Sequence, residues 1–149
     1  MKTKAIIAIA LLIFSLKSIA QVNNQSPEEK IMTSVGIGHG GGSIVGADLE
    51  FGLGNRFGAQ IGLGYPGIGA GLNFHSKPTL RSSFLSLQYI QAGYSLSRCV
   101  SAVGPVFVYR GKKWFTFSVG YVIEVQNTFN SNISGTGIVL AIGGYFPII

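Results

Sequence analysis

The chain has little charge, a single cysteine, no helix-like periodicity after its first residues and no apolar run long enough for a membrane helix. Only 11% of its 149 residues are charged, against about 25% in ordinary soluble domains. We infer that something other than water covers much of its surface. Cys99 stands alone, which excludes an internal disulfide. The longest apolar run, over 5–16, is shorter than the roughly 20 residues that a membrane-spanning helix requires.

The first residues have the pattern of a secretory signal peptide. Two lysines precede the apolar run, and small residues close the segment at Ala20. We predict a cleaved signal peptide over 1–20, a flexible polar N-terminus over 21–30 and one domain over 31–149. Cleavage lowers the net charge to about +3, which is too mild to predict nucleic-acid binding.

Apolar side chains recur at every second position in the predicted domain, with Gly, Asn or charged turns between segments. This period is typical of β-strands that have one apolar face. It predicts an all-β protein, an antiparallel up-and-down β-barrel of about eight strands. The predicted strands cover 31–38, 45–53, 57–65, 68–75, 83–94, 99–109, 114–125 and 136–147.

The turns between the first segments predict the register of two hairpins. A three-residue turn places Leu49 opposite Ile61, and both belong to the apolar face. A two-residue turn at 66–67 places Tyr65 opposite Ile68, again on that face.

The composition of the second face separates two architectures. A soluble barrel turns its apolar face inward, whereas a membrane barrel turns it toward lipid. Here the second face is mainly glycine with a few ionisable groups, which is a poor surface for contact with water. In a membrane barrel these small residues point into an interior just wide enough for side chains.

Three features carry a resemblance to a known family: the signal peptide, the segments FGAQIGLGY and FTFSVGYVIEV, and the terminal GGYFPII. With these features the chain resembles the small eight-stranded outer-membrane β-barrels of Gram-negative bacteria. It implies a location in the cell outer membrane, contact with outer-membrane lipid, and a structural or surface-interaction role without an open pore. The alternative is a soluble exported barrel, periplasmic or secreted, that carries a small apolar ligand as lipocalins do.

No arrangement of residues predicts catalysis, a cofactor or a metal site. His39 and His75 lack carboxylate or cysteine neighbours at ligand spacing, so each is interpreted as an ordinary polar residue near a strand end. The run HGGGS precedes a strand and has no P-loop lysine, which favours a flexible turn over a phosphate site. We therefore expect a protein that is not an enzyme.

A basic cluster and a polar loop are the two candidate surface features. The cluster, at Arg110, Lys112 and Lys113, is predicted to be a solvated turn, with contact to a lipid headgroup as the alternative. The segment 126–134 is rich in Asn and Ser and joins the last two predicted strands. It is the predicted site of contact with an extracellular partner.

The remaining candidate site is a polar network inside the barrel. Ionisable groups in a narrow interior require partners, because burying an unpaired charge costs several kcal/mol. The predicted register places Glu50 directly opposite Gln60, and Arg56 is expected to pair with a carboxylate. The predicted interior polar residues are Asp48, Glu50, Arg56, Gln60, Asn73 and Glu124.

Overall fold

Eight antiparallel strands form one closed barrel in chain order, with β1 paired to β8. The computed structural model describes residues 30–95, 98–127 and 135–148. The predicted barrel is confirmed. The predicted signal peptide lies outside the described residues, as do the predicted flexible N-terminus apart from Lys30 and the predicted contact segment 126–134 apart from Gln126 and Asn127. The elements are β1 (Ile31–Ile37), α1 (His39–Gly42), β2 (Val45–Gly52), β3 (Phe57–Tyr65), β4 (Gly67–His75), β5 (Phe84–Ser95), β6 (Arg98–Arg110), β7 (Phe115–Asn127) and β8 (Thr136–Ile148).

The first predicted hairpin register is confirmed and the second is wrong. Leu49 pairs with Ile61 between β2 and β3. Between β3 and β4, Leu63 rather than Tyr65 faces Ile68, and the turn consists of Tyr65 and Pro66, joined by a cis peptide bond. The error is a shift of two residues. Such a shift keeps every side chain on its own face, so alternation alone does not exclude it.

The apolar face of the barrel points outward on every strand. Leu63 is 68% exposed, and Ile138 is 74% exposed. These side chains form a belt around the barrel, which we call the apolar belt. Its exposed members include Val35, Val45, Leu63, Leu72, Leu87, Phe107, Val119, Ile123, Ile138 and Leu140.

Small, polar and a few apolar side chains fill the inside. One apolar cluster joins Met32, Leu80 and Tyr145, and a second joins Phe84, Val106 and Val108. Among the described residues, no helix is long and apolar enough to cross a membrane.

The two ends of the barrel differ in their connections. The end at which β1 starts, which we call the basal end, also carries the connections 53–56, 76–83 and 111–114. The opposite end, which we call the plug end, carries the β1–β2 connection, whose residues 38–43 fold back into the barrel. These residues are the plug loop, and they pack against β3 and β4 and also reach β1, β2, β5 and β8.

Candidate functional site

Glu50 is the centre of a buried polar cluster in the basal half of the barrel. It lies on β2 and is only 2% exposed. Its Oε2 lies 2.7 Å from Nη1 of Arg110 on β6. Its Oε1 lies 2.9 Å from Nε2 of His75 and accepts a hydrogen bond from Nδ2 of Asn73, both on β4. Two strands, β4 and β6, thus direct partners at one carboxylate of β2, which is the condition for keeping a charge inside a narrow barrel.

The cluster continues along neighbouring strands through Asn73. Its amide nitrogen, which has two hydrogens, also donates to Oε1 of Gln60 on β3 at 2.8 Å. Its Oδ1 accepts from the hydroxyl of Ser86 on β5 at 2.6 Å. These side chains face one another because their backbones are register partners, Glu50 with Gln60 and Asn73 with Ser86. Antiparallel pairing therefore builds this part of the cluster.

Arg110 extends the cluster across the barrel. Its Nη1 donates to the backbone oxygen of Leu80, and its Nη2 lies 3.4 Å from the hydroxyl of Ser34 on β1. The guanidinium carbon lies 4.8 Å from the ring centroid of Phe84 and 5.2 Å from that of Tyr145. Both distances fit cation–π contacts. Arg110 therefore links the Glu50 cluster to β1 and β8, the two strands that close the barrel, and to the connection 76–83 at the basal end.

Asp48 holds the plug loop inside the other half of the barrel. Its Oδ2 lies 2.7 Å from Nδ1 of His39, and its Oδ1 accepts a hydrogen bond from the backbone N–H of Gly40 at 3.1 Å. Within the loop, the hydroxyl of Ser43 donates to the Gly40 oxygen at 2.7 Å. The loop is therefore an ordered part of the interior, and the prediction that HGGGS forms a flexible turn is wrong.

The glycines of the second face provide the room for the plug loop. Gly41 has a φ of +82°, and a Cβ on it would overlap the backbone oxygen of Ile68. On the facing strand, a Cβ on Gly69 would lie 2.9 Å from Cα of Gly41. Two backbones approach this closely only when neither carries a side chain there. The glycines on the strand faces that contact the plug loop are therefore explained by this close packing of backbones.

A small cavity of about 30 Å³ remains between the plug loop and the Glu50 cluster. Its lining includes His39, Asp48, Glu50, Gln60 and Arg110. This volume corresponds to about two water molecules. Among the described residues, no group of three or more His, Cys, Asp and Glu side chains is placed to hold a metal ion.

The six predicted interior residues fall into three groups, one of which is Arg56 alone in the exposed β2–β3 turn. Glu50, Gln60 and Asn73 come together in one cluster, and Asp48 lies nearby under the plug loop. Glu124 lies near the plug end of β7, apart from the Glu50 cluster, where its backbone N–H donates to Gly135.

Two of the sequence predictions are wrong about arginines. Arg56 is exposed, because it lies in the β2–β3 turn, beyond the last residue of β2. Arg110 is buried at 6% exposure and is therefore no part of a solvated turn. A signal for Arg110 was present, since Val106, Val108 and Arg110 alternate along the inward face of β6.

The sequence analysis also missed the carboxylate partners of two histidines. His39 and His75 have carboxylate partners that the fold brings from other strands, Asp48 and Glu50 respectively. Spacing in the sequence contains no sign of either contact.

Comparison with protein families, with curated proteins and with solved structures finds no match to this chain.

Proposed function

We propose that this protein is an outer-membrane β-barrel with a structural or surface-interaction role, without an open pore and without catalytic activity. The observation that carries the proposal is the apolar belt, which is exposed on every strand. Soluble monomers rarely expose contiguous apolar patches larger than a few hundred Å². A hydrocarbon layer removes this cost, because side chains such as Leu63 and Ile138 then contact acyl chains.

The filled interior supports the absence of an open pore. The plug loop occupies one half of the barrel, and the Glu50 cluster occupies the other. The cavity between them, in the described part of the barrel, has a volume of about 30 Å³. An ion or solute would have to displace charged, hydrogen-bonded groups to pass.

The same geometry weighs against the soluble carrier. Pockets for small organic ligands have volumes of about 300 to 1,000 Å³ and mostly apolar walls. The cavity here is an order of magnitude smaller, and its lining includes Asp48, Glu50 and Arg110. The outward belt would also leave a carrier with an apolar surface in water.

Cell fractionation of the full chain tests the location. We expect the protein in the outer-membrane fraction, extracted only by detergent, with a gel mobility that changes on heating because closed barrels resist unfolding in detergent. Recovery from the periplasm without detergent would contradict the proposal and make the carrier the better explanation.

A substitution in the apolar belt tests lipid contact directly. Val119 is exposed near the middle of β7, and an arginine at the bilayer midplane costs about 2 to 4 kcal/mol. We expect Val119→Arg to reduce the folded fraction in lipid vesicles strongly. The matched control is Leu53→Arg, which places the same side chain in the exposed β2–β3 connection. Equal folding of both variants would contradict lipid contact at Val119.

A further inference from the structure

The basal end of the barrel carries a ring of exposed cations. Lys30 precedes β1, Arg56 lies in the β2–β3 connection, and Lys77 lies in the β4–β5 connection, while Lys112 and Lys113 lie in the β6–β7 turn. All five are exposed, and we call these five residues the basal collar. Arg81, which is also exposed, lies at the same end but is not counted in the collar.

The members of the basal collar are spread around the barrel rather than gathered in one patch. Chain order equals neighbour order in this closed sheet. Each connection at the basal end, and the start of β1, therefore contributes at least one cation to its own sector. A lipid leaflet surrounds the barrel and can therefore contact cations in every sector at once.

No acidic side chain balances the collar within the described residues. The three carboxylates there are Asp48, Glu50 and Glu124, and none is exposed. The connections of the plug end, at 38–44, 65–66, 96–97 and 128–135, contain no Lys, Arg, Asp or Glu. The charged residues of the connections are thus concentrated at the basal end, and Arg98, the first residue of β6, is a cation near the plug end.

Aromatic side chains lie beside the collar at the edge of the apolar belt. Trp114 follows Lys113 directly and is 56% exposed, and Tyr109 lies on the preceding strand with 48% exposure. Tryptophan and tyrosine are enriched at the depth of lipid headgroups. Lysine and arginine side chains near that depth extend their charged ends toward phosphates.

We propose that the basal collar binds the phosphate groups of anionic phospholipids in the leaflet that surrounds the basal end. This inference rests on the proposed location of the apolar belt in a bilayer. It goes further by assigning a lipid class and a barrel end to the contact. Electrostatic attraction to anionic lipid is worth about 1 kcal/mol for each lysine or arginine near the surface.

The chain contains its own reporter, because Trp114 is the single tryptophan and adjoins Lys113. The folded full chain is placed in two series of phosphatidylcholine vesicles. One series contains increasing fractions of brominated phosphatidylglycerol, and the other contains increasing fractions of brominated phosphatidylcholine. Both lipids carry bromine near the headgroup end of their acyl chains. Bromine quenches tryptophan on contact, so the two quenching curves give the relative occupancy of the site beside Trp114. We expect a preference of about fivefold for phosphatidylglycerol at low salt, the ratio that corresponds to about 1 kcal/mol.

Charge variants separate headgroup binding from general lipid contact. We expect the double substitution Lys112→Gln, Lys113→Gln to bring the preference close to one, and Lys112→Arg, Lys113→Arg to retain it. Arg98→Gln removes a cation at the opposite end and is expected to leave it unchanged. Raising the salt concentration to about 1 M shortens the screening length to about 3 Å and is expected to lower the wild-type preference.

The outcomes distinguish failure of this proposal from failure of the proposed function. Quenching by both lipids with equal strength, unchanged in the glutamine variant, would overturn the collar proposal but leave the barrel in the bilayer; an acidic protein segment would then be the better partner. Absence of quenching by either lipid, with the barrel folded, would overturn both proposals.

Discussion

The substitution Arg110→Met probes the interior cluster most directly. Arg110 Nη1 lies 2.7 Å from Oε2 of Glu50, and both side chains are 2% exposed. His75 and Asn73 contact the other oxygen of Glu50, Oε1. Methionine therefore leaves Oε2 buried without its cation. Removing one partner of a buried ion pair costs about 3 to 5 kcal/mol, and the two cation–π contacts of Arg110 are lost as well.

Urea unfolding of the protein folded in lipid vesicles measures this loss. We expect the midpoint to fall by at least about 1.5 to 2.5 M for Arg110→Met, which is the loss of about 3 to 5 kcal/mol divided by a slope of about 2 kcal/mol per M. Adding Glu50→Gln removes the stranded charge and is expected to restore part of the loss, because the two side chains interact directly. The matched control is Arg56→Met in the exposed β2–β3 turn. In vesicles of phosphatidylcholine alone, which offer the basal collar no anionic lipid, this change is expected to alter stability by less than about 0.5 kcal/mol.

The comparison between the two arginines decides the outcome. If Arg110→Met and Arg56→Met have the same midpoint, Glu50 is not held by a buried cation. If the double variant loses the sum of the two single losses, Arg110 and Glu50 do not act as a pair. Either result would refute the description of the interior as a charge-paired cluster.

Two further predictions concern the plug loop. Gly41→Ala is expected to destabilise the barrel by at least about 1 to 2 kcal/mol, because alanine is strained at positive φ and its Cβ would overlap the backbone of Ile68. The control is Gly54→Ala, whose Cβ would meet open space. Equal urea midpoints for the two variants would contradict close packing of the loop. Asp48→Ala removes the acceptor of His39 and Gly40, bonds worth about 1.5 to 3 kcal/mol for a charged group; amide hydrogen exchange at Gly40 is expected to accelerate about tenfold or more, and an unchanged rate would show that Asp48 does not anchor the loop.

The barrel itself could be predicted from the sequence because its two faces differ so much in composition. Outward positions such as Leu49, Ile61 and Val119 are apolar, while many inward positions are glycine, so a period of two is visible over each strand. The register of the β2–β3 hairpin also follows from local information, which is why Glu50 could be placed opposite Gln60. The β3–β4 register could not, because a shift by two residues preserves both faces.

Much of the candidate site depends on contacts that no local pattern contains. Arg110 reaches Glu50 from β6, a strand that is not adjacent to β2 in the barrel. The sequence beside it, Lys112 and Lys113, resembles a solvated turn, so Arg110 was grouped with its chain neighbours. The plug loop was missed for a related reason, since glycine-rich runs are typical of surface turns and a run that folds inward has the same composition.

Closure of the barrel by β1 and β8 has a consequence for the order of assembly. The seam joins Ile31 to Ile148, so the ribosome must complete nearly the whole chain before this pairing is available. Contacts between such distant residues form late, because the intervening chain loses entropy when its ends meet. The plug loop lies against one of the two strands of the seam, since Gly38 sits against the backbone of Leu140 on β8. Pairing of β1 with β8 and packing of the plug loop are therefore coupled. Until both have occurred, the barrel is open and its apolar side chains are not held in their final positions.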